Sequence, residues 1–156
     1  MKKALIFGVI AALFISTLAL GCTKTEPATP PMPPLNGGQE AKTIEISVDD
    51  FMAQNHLTRD VVLIRPGSLI VSLGANPTTG FTWEEAEISN PSVVTEQSHN
   101  FVAPQADSQV VGAPGKDVWV FDPQQPGTAT IKMSYSRPWE GGEKDEWTLT
   151  LNVTVE

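Results

Sequence analysis

Ser68-Leu69-Ile70-Val71-Ser72-Leu73, then Gly74-Ala75-Asn76-Pro77-Thr78-Thr79-Gly80, then Phe81-Thr82-Trp83: the chain writes a strand, a stiff turn and a second strand in direct succession. In the first run Leu69, Val71 and Leu73 alternate on one face; in the last Phe81 and Trp83 share a face with Thr82 opposite. A period of two marks a strand with one buried side. Between them, Pro77 fixes φ near −65° and has no N–H to donate. Gly80 admits φ values that other residues avoid, and Asn76 can hydrogen-bond nearby backbone and hold the turn. The loop therefore presents Thr78 and Thr79 on a stiff backbone.

The same reading extends along the chain. Residues 43–48, 61–64, 81–88, 118–121, 128–135 and 147–155 read as strands, and 93–102 as a weaker one. The clearest alternation puts Trp147, Leu149, Leu151, Val153 and Val155 on one face; Ile131, Met133 and Tyr135 repeat the pattern upstream. Pro66-Gly67, Asn90-Pro91, Asp122-Pro123, Pro126-Gly127 and Gly141-Gly142 punctuate these runs as turns. Residues 49–59 fit no strand and leave room for a short helical turn. About seven or eight short strands in one domain predict an all-β, antiparallel β-sandwich of immunoglobulin-like type. Cys22 is the only cysteine, so the domain has no disulfide, no cysteine nucleophile and no thiolate metal site. Packing around Trp83 takes the place of a disulfide staple.

The N-terminus reads as an export signal. Lys2 and Lys3 precede an apolar stretch from residue 4 to residue 20, interrupted only by Gly8, Ser16 and Thr17. Leu18-Ala19-Leu20-Gly21-Cys22 resembles a bacterial lipoprotein cleavage box, with Ala19 departing from the commoner order. The resemblance implies cleavage before Cys22 and lipid on that cysteine; a retained anchor helix or a soluble secreted form are the alternatives. Residues 1–21 are then a signal peptide. Residues 22–41, with Pro27, Pro30, Pro31, Pro33 and Pro34, form a semi-rigid tether, and residues 42–156 form the folded domain. Loss of Lys2 and Lys3 takes the formal charge from −8 to −10. An acidic surface without basic clusters argues against nucleic acid and against electrostatic membrane binding. Thr23 after Cys22, rather than Asp, points to the outer membrane if the cell is Gram-negative.

Two further loops fall at sandwich-like spacing: Gly112-Ala113-Pro114-Gly115 and Arg137-Pro138-Trp139. With 68–73 as strand B and 81–88 as strand C, the three loops are BC, DE and FG, which emerge at one end of such a sandwich. Their sequences, from Asn76-Pro77-Thr78-Thr79-Gly80-Phe81-Thr82-Trp83 through Gly112-Ala113-Pro114-Gly115 to Tyr135-Ser136-Arg137-Pro138-Trp139, resemble the three signature loops of the chagasin family of cysteine peptidase inhibitors. The middle loop departs from the family pattern Gly-x-Gly-Gly, because Pro114 stands third and removes an N–H donor.

The resemblance implies a monomeric, reversible, competitive inhibitor of papain-like cysteine peptidases that needs no metal or cofactor. The loop of Asn76, Pro77, Thr78, Thr79 and Gly80 would cover the catalytic Cys/His pair, with Thr78 closest to the cysteine. Val111 would enter the S2 subsite with help from Val110, ahead of Gly112, Ala113, Pro114 and Gly115. Trp139 would pack on the primed-side wall, directed by Arg137 and Pro138.

Two rival classes are weaker. An enzyme needs a constellation, but His56 and His99 are 43 positions apart, and the acidic runs Glu84, Glu85, Glu87 and Glu143, Asp145, Glu146 read as solvated edges. A surface module for carbohydrate or another envelope protein could stack a ligand on Trp139 and Trp119, but gives no reason for the 76–80 sequence.

Overall fold

The alternating runs resolve into two sheets that share one core. The computed structural model describes residues 40–104 and 113–156. In chain order the elements are β1 (Glu40–Ile46), α1 (Val48–Ala53), β2 (His56–Leu63), β3 (Gly67–Ala75), a 3-10 turn (Pro77–Thr79), β4 (Thr82–Trp83), β5 (Glu87–Ile88), β6 (Val94–Val102), β7 (Gly115–Pro123), β8 (Gly127–Ser136) and β9 (Trp147–Val155). One sheet has the order β1-β3-β7-β6; the other runs β2-β9-β8-β4, with β5 also paired to β8. The all-β sandwich expected from the sequence is the fold observed. The signal segment, Cys22 and the tether up to residue 39 lie outside the described residues. β1 begins at Glu40, two residues inside the segment read as tether.

Most pairings are antiparallel, while one edge of each sheet is parallel: β1 beside β3 with Ile46 opposite Leu73, and β2 beside β9 with His56 opposite Thr148. The cause is α1, which carries the chain from one sheet to the other instead of turning it back in a hairpin. Ser47 ends β1 by capping that helix. Its hydroxyl accepts from the Asp50 amide while the Asp50 carboxylate accepts from the Ser47 amide, a reciprocal capping box. This helix is the short helical turn for which the sequence left room within 49–59, and its six residues are too few to show a 3.6 period. β2 starts at His56 rather than 61 because it is an edge strand whose Thr58, Arg59 and Asp60 face solvent.

The run 81–88 is not one strand. Trp83 pairs with Tyr135 and Glu87 with Lys132, so four steps on this side match three on β8. The extra residue breaks the run into β4 and β5 and gives nine strands among the described residues.

Leu69, Val71 and Leu73 of β3 and Trp119 and Phe121 of β7 face Ile131 and Met133 of β8 and Leu149 and Leu151 of β9, all fully buried. Truncating any of these to alanine costs about 2–5 kcal/mol. Phe51 of α1 caps the core, stacked on Trp147 at 5.3 Å and tilted against Trp83 at 5.2 Å. Trp147 stacks on Tyr135 at 4.7 Å, and Tyr135 on Phe81 at 5.5 Å. These rings form a column that runs from the helix to the base of the 76–80 loop.

Candidate functional site

Strand register brings the three loops to one end. Ala75 pairs with Gly115 and Val102 with Lys116, so β3 ends where β7 begins and β6 ends. Thr82 pairs with Ser136 and Tyr135 with Trp147, so β4 begins where β8 ends and β9 begins. The short 76–81 link ties these two ends together, and α1 crosses beside them.

The BC loop is built from its own sequence. Asn76 caps the 3-10 turn, its side-chain oxygen accepting from the Thr78 amide at 3.2 Å and from the Thr78 hydroxyl. The Thr79 hydroxyl donates to the Asn76 carbonyl at 2.7 Å. Gly80 closes the turn in the left-handed region at φ 81°, its amide donating to the Pro77 carbonyl at 3.1 Å. The Asn76 amide donates to the buried Tyr135 hydroxyl at 2.9 Å, and the Trp83 indole N–H to the Gly74 carbonyl at 3.1 Å. Both bonds cross from one sheet to the other. Pro77, Thr78 and Thr79 are left exposed at the apex.

The FG loop leans on the BC loop. Trp139 lies over Gly80, where a Cβ would come within 2.9 Å of the indole ring. The Arg137 guanidinium sits 4.5 Å above the Phe81 ring and 5.9 Å from the Trp139 ring. The loop is closed by the Arg137 amide on the Glu143 carbonyl at 2.8 Å and the Gly142 amide on the Trp139 carbonyl at 3.0 Å. Two ion pairs hold its far limb to the neighbouring strands, Lys144 to Glu84 at 2.8 Å and Lys132 to Asp145 at 3.3 Å. The Ser134 hydroxyl, with Lys132 behind it, holds the Asp145 carboxyl below the usual carboxylate range. Trp139 remains 53% exposed, and Pro138 is exposed beside it.

Of the DE loop, Ala113, Pro114 and Gly115 are described; Val110, Val111 and Gly112 lie outside the described residues. Pro114 is exposed and Gly115 opens β7, buried against Phe101. The tip thus joins Asn76, Pro77, Thr78, Thr79, Gly80, Arg137, Pro138 and Trp139 directly, with Ala113, Pro114 and Gly115 at the same end. Phe81 and Tyr135 support this tip, a role that strand alternation alone did not reveal.

The remaining polar candidates stand elsewhere. His99 Nε2 pairs with Asp117 Oδ1 at 2.7 Å, its ring stacked 4.1 Å from Trp119. Burial pushes the Asp117 carboxyl up despite that partner. His56 Nδ1 bonds the Thr148 hydroxyl at 2.9 Å. Among the described residues no group of three His, Cys, Asp or Glu is placed to hold a metal ion. Trp119 is fully buried, so it offers no face to a sugar.

The described residues thus form a sandwich whose BC and FG loops meet at one end around a half-exposed indole, with no assembled nucleophile among them. The model of the chagasin family peptidase inhibitor I42 matches residues 66–153, and the chain belongs to the chagasin family. It is therefore a peptidase inhibitor rather than an enzyme. The chain is 35% identical over 86 residues to amoebiasin-2 of Entamoeba histolytica, covering 54% of this chain and 68% of that one. It is 32% identical over 90 residues to chagasin of Trypanosoma cruzi, covering 54% and 79%. Among solved structures it resembles the cysteine protease inhibitor EhICP2 from Entamoeba histolytica, with a TM-score of 0.58 and 26% identity over 76% of this chain and all of that one (100%). PbICP-C, solved in complex with falcipain-2, shares the fold with a TM-score of 0.53 and 18% identity over 74% of this chain and 99% of that one.

Proposed function

We propose that the chain is a reversible, tight-binding, competitive inhibitor of papain-like cysteine peptidases. The BC, DE and FG loops enter the active-site cleft together as a wedge. The observation that carries this reading is the contact of Trp139 with Gly80, which makes the BC and FG loops one preformed surface. Asn76, Pro77, Thr78, Thr79 and Gly80 cover the catalytic Cys/His pair, with Thr78 nearest the cysteine. Val110, Val111, Gly112, Ala113, Pro114 and Gly115 serve the S2 side, and Arg137, Pro138 and Trp139 the primed side. No bond is made or broken. The loop backbone is held by the Asn76 cap in a turn rather than the extended form a peptidase cleaves, so the inhibitor leaves intact.

Rigidity explains how such a wedge binds tightly. Ordering of loops and side chains opposes association, and a tip already ordered avoids much of that cost. An interface of about 800 Å² per partner is typical of peptidase inhibitors, and nanomolar binding corresponds to about −12 kcal/mol.

The domain works as a monomer at a membrane surface, exported, cleaved before Cys22 and lipidated there. Its residence is the bacterial envelope, on the outer membrane in a Gram-negative cell. The test is titration of the full-length chain, kept in detergent, against papain and a cathepsin L-like peptidase with a fluorogenic substrate. A competitive, reversible constant in the nanomolar range with recovery of uncut inhibitor is expected. Cleavage of the chain, or no inhibition at micromolar concentration by a folded sample, refutes the reading.

A further inference from the structure

β6 is the outer strand of its sheet, and from Thr95 to Asn100 its side chains are polar: Thr95, Glu96, Gln97, Ser98, His99 and Asn100. Phe101 breaks that pattern at the penultimate position, nearest the tip. It shares a strand face with His99, whose ring is stacked on Trp119, yet Phe101 itself is 47% exposed. A lone exposed apolar residue is ordinary on a protein surface and by itself requires no explanation. The second observation lies across the strand pair. Gly115 has no positive φ that would demand glycine, but a Cβ there would stand 2.5 Å from Phe101 Cζ and 2.8 Å from Cε2. The same Cβ would stand 2.7 Å from the Val102 carbonyl oxygen, so the missing side chain at the first residue of β7 makes room both for the β6 backbone and for the Phe101 ring, which rests against Gly115.

We infer that Phe101 is a fourth contact residue of the wedge, a specificity-determining ring supplied by β6 itself and aimed at an apolar wall of the peptidase on the DE-loop side of the cleft. The inference rests on the proposed inhibitor function and extends it. Phe101 meets the partner beside Pro114, on the sheet opposite the one that carries Trp139. Gly115 lies against the ring and the paired strand fixes its Cβ, which sets the direction in which the ring is presented. Peptidases with an apolar residue at that wall are favoured; those with a charged residue there bind less well, because the charge would be desolvated against the ring.

The experiment compares full-length wild type, Phe101→Ala, Gly115→Ala and Trp139→Ala, each checked by circular dichroism and thermal melting, against papain and a cathepsin L-like peptidase. Phe101→Ala should raise the inhibition constant roughly 30- to 100-fold, the loss for about 100 Å² of apolar surface. Gly115→Ala keeps the phenyl but displaces it, and should raise the constant in the same direction on both enzymes. If Trp139→Ala loses inhibition while folded Phe101→Ala and Gly115→Ala keep the wild-type constant, Phe101 is not a contact and the inhibitor reading stands. If the folded wild type inhibits neither enzyme, the inhibitor reading falls and this inference falls with it.

Discussion

Replacing Trp139 by alanine should separate binding from folding. The indole is 53% exposed, and a tryptophan presents about 250 Å² in all, so about 130 Å² faces solvent in the free protein. Burying that area under a peptidase at about 25 cal/mol per Å² contributes about 3 kcal/mol, or about 150-fold in the inhibition constant. The buried half rests on Gly80 and beside Arg137, and its loss lowers stability by about 1–2 kcal/mol, leaving the domain folded at room temperature. The assay is competitive inhibition of papain, with a denaturant melt on the same sample. Gly80→Ala supplies the internal control. It strains the left-handed turn and pushes the indole from its seat, so it should weaken wild type more than it weakens the Trp139→Ala background. Additive losses in that double-mutant cycle would show that the two loops do not act as one surface. An unchanged constant for folded Trp139→Ala would remove the residue from the interface altogether.

His99→Ala should leave the inhibition constant within about twofold while costing about 1–3 kcal/mol in a urea melt, because it strands the buried Asp117 carboxyl away from the binding tip. Stability should also respond to acid in two opposed ways. Asp50 and Asp145 are held below the usual carboxylate range, so their contribution is present at neutral pH and lost as pH falls through that range. Asp117 is pushed up by burial, so its contribution is present at low pH and lost as pH rises. Melting temperature against pH should therefore fall less steeply in acid for Asp50→Asn or Asp145→Asn, and more steeply for Asp117→Asn; the reverse order would contradict the assigned environments. Cys22→Ser should abolish incorporation of labelled palmitate in a bacterial host and release the protein from the membrane fraction, whereas continued labelling would exclude lipidation at Cys22.

Much of this fold was legible because burial on one side of a strand imposes a period of two, and β8 and β9 show it from Ala129 to Tyr135 and from Trp147 to Val155. The BC turn was legible for a different reason: Asn76, Pro77 and Gly80 each restrict a backbone angle locally, and the turn forms as those restrictions require. What escaped depends on distant partners. The bulge at residues 84–86 exists only in relation to β8. The parallel edges follow from α1 crossing between sheets, and Ser47 with Asp50 three residues on was the one local sign of that helix. Phe101 was read as part of a weak strand, since its exposure is set by the edge position of β6 and its seat by Gly115, fourteen residues away. The placement of Arg137 over Phe81 likewise joins residues far apart in sequence that no spacing rule connects.

The ring column from Phe51 through Trp147, Tyr135 and Phe81 ends beneath Arg137 and Trp139, so the BC and FG loops share a foundation with the core. The DE connection stands outside that foundation, on the opposite sheet, between β6 and β7. A substitution in the column therefore shifts the packing of the core and the seat of both loops together. A designed library that keeps the 76–81 and 137–143 loops in place therefore has to keep the four rings beneath them as well.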